Sequence, residues 1–115
     1  MANLTINLVQ GSVSLGFTPD AAKDLKQGIA KLMTSLKANA AHTATKGGAR
    51  PAKQPSMEYR YTGDVFLEVF CNPNIYPSPF AAKVLLTVRD ERIRITTEAE
   101  LPQLIEDLNN YLEQN

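Results

Sequence analysis

Asn3-Leu4-Thr5-Ile6-Asn7-Leu8-Val9-Gln10-Gly11-Ser12-Val13-Ser14-Leu15-Gly16-Phe17-Thr18-Pro19-Asp20 is the stretch whose reading decides the fold of this chain. Leu4, Ile6 and Leu8 alternate with Thr5 and Asn7, Gln10-Gly11-Ser12 carries turn residues, and Val13, Leu15 and Phe17 resume the alternation. A period of two on both sides of a Gly-containing connection is the pattern of a β-hairpin with one buried face, here over residues 3–17. A helix follows at once. Thr18 can cap free backbone N–H groups, Pro19 loses nothing at the first helical position, and Asp20 complements the helix dipole. Ala22, Leu25, Ile29, Leu32 and Leu36 then recur every three or four residues, while Lys23, Asp24, Lys26, Gln27 and Lys31 face water. The stripe predicts a helix ending near Lys37 or Ala38.

Beyond that helix, Lys37, Lys46, Arg50 and Lys53 stand without an acidic residue, among Gly47-Gly48, Pro51 and Pro55 and with no usable periodicity. This composition predicts a basic mobile loop at about 38–56, shortened only if Ala38, Ala40 and Ala41 extend the helix by a turn. Met57, Tyr59 and Tyr61 next alternate against Glu58 and Arg60, Thr62-Gly63-Asp64 turns the chain, and Val65 to Cys71 reads as a strand. Residues 72–79 hold three prolines, which cannot donate to a ladder, so they form a loop or an excursion at a sheet edge. Val84, Leu86 and Val88 lead into a polar turn at Asp90-Glu91, and Ile93 and Ile95 lead out, giving another hairpin. Thr97-Glu98-Ala99-Glu100 has the form of a capping box, and Pro102 places the start of the regular helix near Leu101. Leu101, Leu104, Ile105, Leu108, Tyr111 and Leu112 draw its apolar stripe.

Each half therefore reads as a hairpin entering a helix, with Phe17-Thr18-Pro19-Asp20-Ala21 matched by Ile95-Thr96-Thr97-Glu98-Ala99. The expected class is α+β: an antiparallel sheet built from two hairpins with two helices packed on one face, in pseudo-repeated ββα-ββα order. The 115 residues suit one domain, residues 1–115, able to bury roughly two-thirds of its unfolded surface without metals or disulfides. Met1 to Asn7 alternates as a strand and lacks the charged start of a signal peptide, and no run of 18 apolar residues suggests a membrane span. A single cysteine cannot form an internal disulfide and favours a reducing, cytoplasmic location.

Twelve Lys and Arg balance twelve Asp and Glu, so net charge announces neither a nucleic-acid binder nor an acidic chain. His42 has no Cys, Asp or Glu nearby, and Cys71 ends an apolar strand as a small buried residue would. Residues 90–115 concentrate seven carboxylates against two arginines, but Glu106, Asp107 and Glu113 fall on the polar face of a helix, where solvation explains them. Gly47-Gly48 lacks the strand-to-helix setting of a phosphate loop. No catalytic residue, cofactor or metal is expected, and an enzyme is the least supported class.

Two binding readings remain. In the first, Ile75, Tyr76 and Phe80, held on a stiff Pro-rich loop, contact a partner protein, and the chain serves as a small accessory, adaptor or assembly subunit. In the second, the cations of the basic loop, Lys46, Arg50 and Lys53 among them, form an electrostatic funnel beside a sheet that carries Tyr59, Arg60, Tyr61, Phe66 and Phe70, for single-stranded DNA or RNA. The order of strands followed by a C-terminal helix is similar in arrangement to the Whirly-type single-strand-binding coactivators. That resemblance matches no motif residue by residue and implies no site. A sheet edge or a long apolar stripe could also be met by a second copy, so a homodimer is compatible with the sequence.

Overall fold

A computed structural model describes residues 2–44 and 53–115. Lys46, Arg50 and Gly47-Gly48 lie outside the described residues, as does the side chain of His42. Strands β1 (Asn3–Leu8) and β2 (Gly11–Gly16) pair antiparallel, with Leu8 opposite Gly11 and Val9-Gln10 as the connection. Gly11 re-enters the ladder with a φ of +146°, a conformation that side-chain-bearing residues rarely adopt. Helix α1 (Pro19–Ala44) begins as its cap residues dictate, the Thr18 hydroxyl accepting the Ala21 N–H at 3.1 Å.

The helix continues well past Ala38, so residues 38–44 are not part of a loop. Alanine favours helix at positions 38, 40 and 41. Asn39, buried on this extension, donates from Nδ2 to the Pro73 carbonyl at 2.7 Å. A contact 34 residues along the chain therefore anchors turns that local periodicity does not require.

Strands β3 (Met57–Thr62), β4 (Phe66–Cys71), β5 (Lys83–Arg89) and β6 (Arg94–Glu100) form a second antiparallel sheet in the order β3-β4-β5-β6, followed by helix α2 (Leu101–Gln114). The class is α+β, but the strands form two sheets and the chain order is ββα-ββββα. The expected pseudo-repeat survives only as a hairpin running into a helix at each end. The Pro-rich segment links the neighbouring strands β4 and β5, through short 3₁₀ turns at Pro73–Ile75 and Pro79–Ala81, so all four strands join one ladder.

Thr97 to Glu100 is not a capping box. These residues pair with β5 as far as Lys83 opposite Glu100, which keeps them extended, and Glu100 precedes α2 without a side-chain cap. Pro102 sits in the first turn, where its missing N–H costs no helical hydrogen bond.

The core lies where the apolar side of the four-stranded sheet meets α1, α2 and the hairpin. Phe17, Leu4, Ile6, Leu25, Leu67, Leu86 and Leu104 are among its wholly buried side chains. Phe17 meets Tyr61 edge-on at 4.7 Å between ring centres and Tyr111 at 6.0 Å. The Tyr111 hydroxyl donates to the Phe17 carbonyl at 2.7 Å, tying α2 to the end of the hairpin.

Asp107 departs from the expected solvated face: it is buried, and its carboxylate accepts the Asn7 backbone N–H at 2.8 Å, Asn7 Nδ2 at 2.9 Å and Gln103 Nε2 at 3.0 Å. Three donors offset the cost of burying the group. The reason is positional, since α2 packs along β1 and brings this carboxylate to its backbone.

Candidate functional site

The β4–β5 crossover is tightly held. Asn72 Oδ1 accepts the Asn74 N–H at 3.0 Å and Asn74 Nδ2 at 2.8 Å, and Asn74 exchanges two 2.8 Å hydrogen bonds with the backbone of Gln54. Pro73 is buried beneath Asn39, and the Ala81 and Ala82 N–H groups close the second 3₁₀ turn on Ser78 and Pro79. A rigid frame thus presents the side chains that follow.

Of the three residues expected to meet a protein, Phe80 and Ile75 stand 86% and 67% exposed. Tyr76 does not join them. Its ring packs against the core, and burial, followed by nearby Cys71 and Glu98, pushes its phenol above the ordinary value. Phe80 lines an apolar groove of about 390 Å³ with Pro79, Met33 and Lys37 of α1, and Pro102 and Ile105 of α2. Ile75 is not part of that lining. Met33 was not singled out in the sequence and Ile105 was read only as part of the apolar stripe of its helix, because periodicity marks residues as apolar without saying which are left partly uncovered. The surviving signal was Phe80, a large ring directly after Pro79 and outside any alternating run.

The residues proposed for nucleic acid do not gather. Lys53 is exposed, whereas Lys46 and Arg50 lie outside the described residues. Tyr59 and Tyr61 face the helices: the Tyr59 hydroxyl donates to the Ala21 carbonyl at 3.1 Å, and Tyr61 packs on Phe17. Burial, with Asp24 adding to it, raises the Tyr59 phenol to about 12. Arg60 occupies the opposite face, bonded to Glu68 at 2.9 Å and near Glu58 at 3.8 Å. Of the rings expected beside the basic loop, Phe66 and Phe70 do lie on that outer face, with the Arg89 guanidinium 4.4 Å above the Phe66 ring.

Cys71 is buried, and desolvation lifts its thiol to about 11, which keeps it protonated and unreactive at neutral pH. Among the described residues no three His, Cys, Asp or Glu side chains converge in a metal-binding group, and no helix is long and apolar enough to cross a membrane. No protein-family model, curated protein or solved structure matches the chain.

Proposed function

We propose that this chain is a non-enzymatic protein-interaction module, an accessory, adaptor or assembly subunit of a larger complex, and that Phe80 is its anchor. The observation that carries this reading is a phenylalanine 86% exposed on an anchored turn, at the rim of a groove whose other walls are almost wholly apolar. Burying such a ring is worth about 1.5–3 kcal/mol, a gain this fold leaves unused. Rigid aromatic side chains beside a preformed apolar pocket are the usual anchors of protein interfaces. The lone buried Cys71 is compatible with work in a reducing, cytosolic setting.

The test is a parallel affinity capture from native extract with the wild-type chain and with Phe80→Asp, after both are shown to melt alike. Proteins retained by the wild type and lost by the variant are expected. Identical retained sets would refute the assignment of Phe80.

Single-stranded nucleic acid is the second reading. Its support is the outer face, where the Phe66 ring lies under Arg89 and Phe70 follows on the same strand. Fluorescence polarisation with labelled oligonucleotides tests it: micromolar binding that weakens with salt and is lost in Phe66→Ala would favour it over the protein partner.

A further inference from the structure

Among the described residues four strand edges border the two sheets, and three of them are guarded. On β1 the outward N–H of Asn7 is occupied by the buried Asp107 carboxylate. On β3 the register turns the backbone groups of Glu58, Arg60 and Thr62 outward, and on β6 those of Arg94, Thr96, Glu98 and Glu100, so each of these edges carries charge. Charged side chains and capped donors are the ordinary means of preventing a sheet from recruiting another strand.

The β2 edge has neither. The Phe17 N–H bonds to the Ala2 carbonyl at 3.1 Å, and the antiparallel register from that pair directs Val13 and Leu15 toward β1. Ser12, Ser14 and Gly16 therefore point their N–H and C=O groups away from β1, and among the described residues no strand lies beyond them. Gly11-Ser12-Val13-Ser14-Leu15-Gly16 contains no charge and no proline, and Ser12 and Ser14 are exposed. Along the same strand Val13 is half-buried and Leu15 buried, so one face of any added strand would meet an apolar layer and the other would meet serine and water.

We infer that the β2 edge is a docking site for an extended peptide segment of a partner protein, uncharged over about six residues and apolar at alternate positions. The mode is strand addition, in which main-chain hydrogen bonds supply affinity and alternate side chains supply selectivity. Size selects the peptide over a second copy of this chain. An edge about 20 Å long and about 10 Å deep presents about 200 Å², far below the ~800 Å² each partner contributes to a stable dimer. Charge selects the sequence, because an ionised side chain against this uncharged edge would lose water and gain no counter-ion. The inference rests on the reading of the chain as a protein-interaction module but not on the Phe80 groove.

The experiment is an amide-resolved hydrogen-exchange and chemical-shift titration of the full chain. The probes are soluble capped hexapeptides in which Val, Ile or Leu alternates with Ser, Thr or Asn, including Asn-Leu-Thr-Ile-Asn-Leu as found at residues 3–8. Before peptide is added, the Val13 and Leu15 amides should be protected and those of Ser12, Ser14 and Gly16 should exchange freely. Peptide should protect the latter set, and lysine-substituted peptides should not. Ser14→Pro removes a donor that β1 does not use, and Ser14→Lys adds a charge to the edge without touching the backbone. Either variant, if folded, should weaken binding by about tenfold or more. Phe80→Asp should leave it unchanged, which separates failure of the groove from failure of the edge. No protection by any peptide in the panel would overturn the inference. So would protection of the same amides that rises with protein concentration alone, since that identifies a second copy as the occupant.

Discussion

Phe17 is wholly buried between Tyr61 and Tyr111, whereas Phe80 leaves 86% of its surface in solvent on the β4–β5 crossover. The first ring sits where the hairpin, α1 and α2 converge, and its own carbonyl accepts the Tyr111 hydroxyl. The second sits on a short turn closed by backbone hydrogen bonds, from the Ala81 N–H to Ser78 and from the Ala82 N–H to Pro79, that would persist if the ring were removed. One phenylalanine therefore holds the fold together. The other contributes little to it, and its apolar surface is available for another molecule.

Removing each ring should expose the contrast in equilibrium unfolding. Phe17→Ala should cost about 3–5 kcal/mol, because the cavity opens between three packed elements. The smallest effect should be at the other ring: Phe80→Ala should lie within about 0.5 kcal/mol of wild type, as for other surface changes. A large loss there would show that the groove belongs to the folding core and would remove the basis for the proposed interface.

Between these limits lies the buried carboxylate that ties α2 to the hairpin. Asp107→Ala should destabilise by about 1–3 kcal/mol, since it strands the Asn7 N–H that the carboxylate now accepts. Denaturant titration measures the loss, and exchange of the Asn7 amide should rise with it.

Alkaline conditions should also destabilise the fold. The Tyr59 phenol and the Cys71 thiol are raised to about 12 and about 11 by burial, from ordinary values of 10.0 and 9.0. The unfolded chain therefore releases these protons first. The folded state binds more protons across that interval, so stability should be full below pH 9 and fall as pH rises through about 9 to 12. Melting across this range checks the sign, and Tyr59→Phe should remove the tyrosine part of the decline. A stability that rises with pH there would contradict the burial of both groups.

Much of this architecture was legible locally. The hairpin over residues 3–17, the Thr18 cap and the start of α2 at Leu101 follow from spacings of two to four residues and from single-residue conformational preferences. The alternation that identifies β3 also puts Arg60 on the face opposite Tyr59 and Tyr61, so no one surface of that strand could combine all three. Other features lay beyond local reach. The last turns of α1 depend on the Asn39–Pro73 contact, and burial of Asp107 depends on a partner 100 residues away. The candidate groove was half visible, in Phe80 but not in Met33 or Ile105, because a helical stripe shows which residues are apolar and not which are covered.

By itself, then, the sequence determined the kinds of element, their order around the two terminal hairpin-to-helix junctions, and the uncharged character of residues 11–16. The tertiary structure alone decided that β3 to β6 form one sheet, that Asp107 closes the β1 edge while β2 stays open, and that Phe80 is left in solvent. The physical reason is range. Backbone preferences and side-chain periodicity act within a turn or a strand, but exposure is set by whichever distant segment comes to lie alongside.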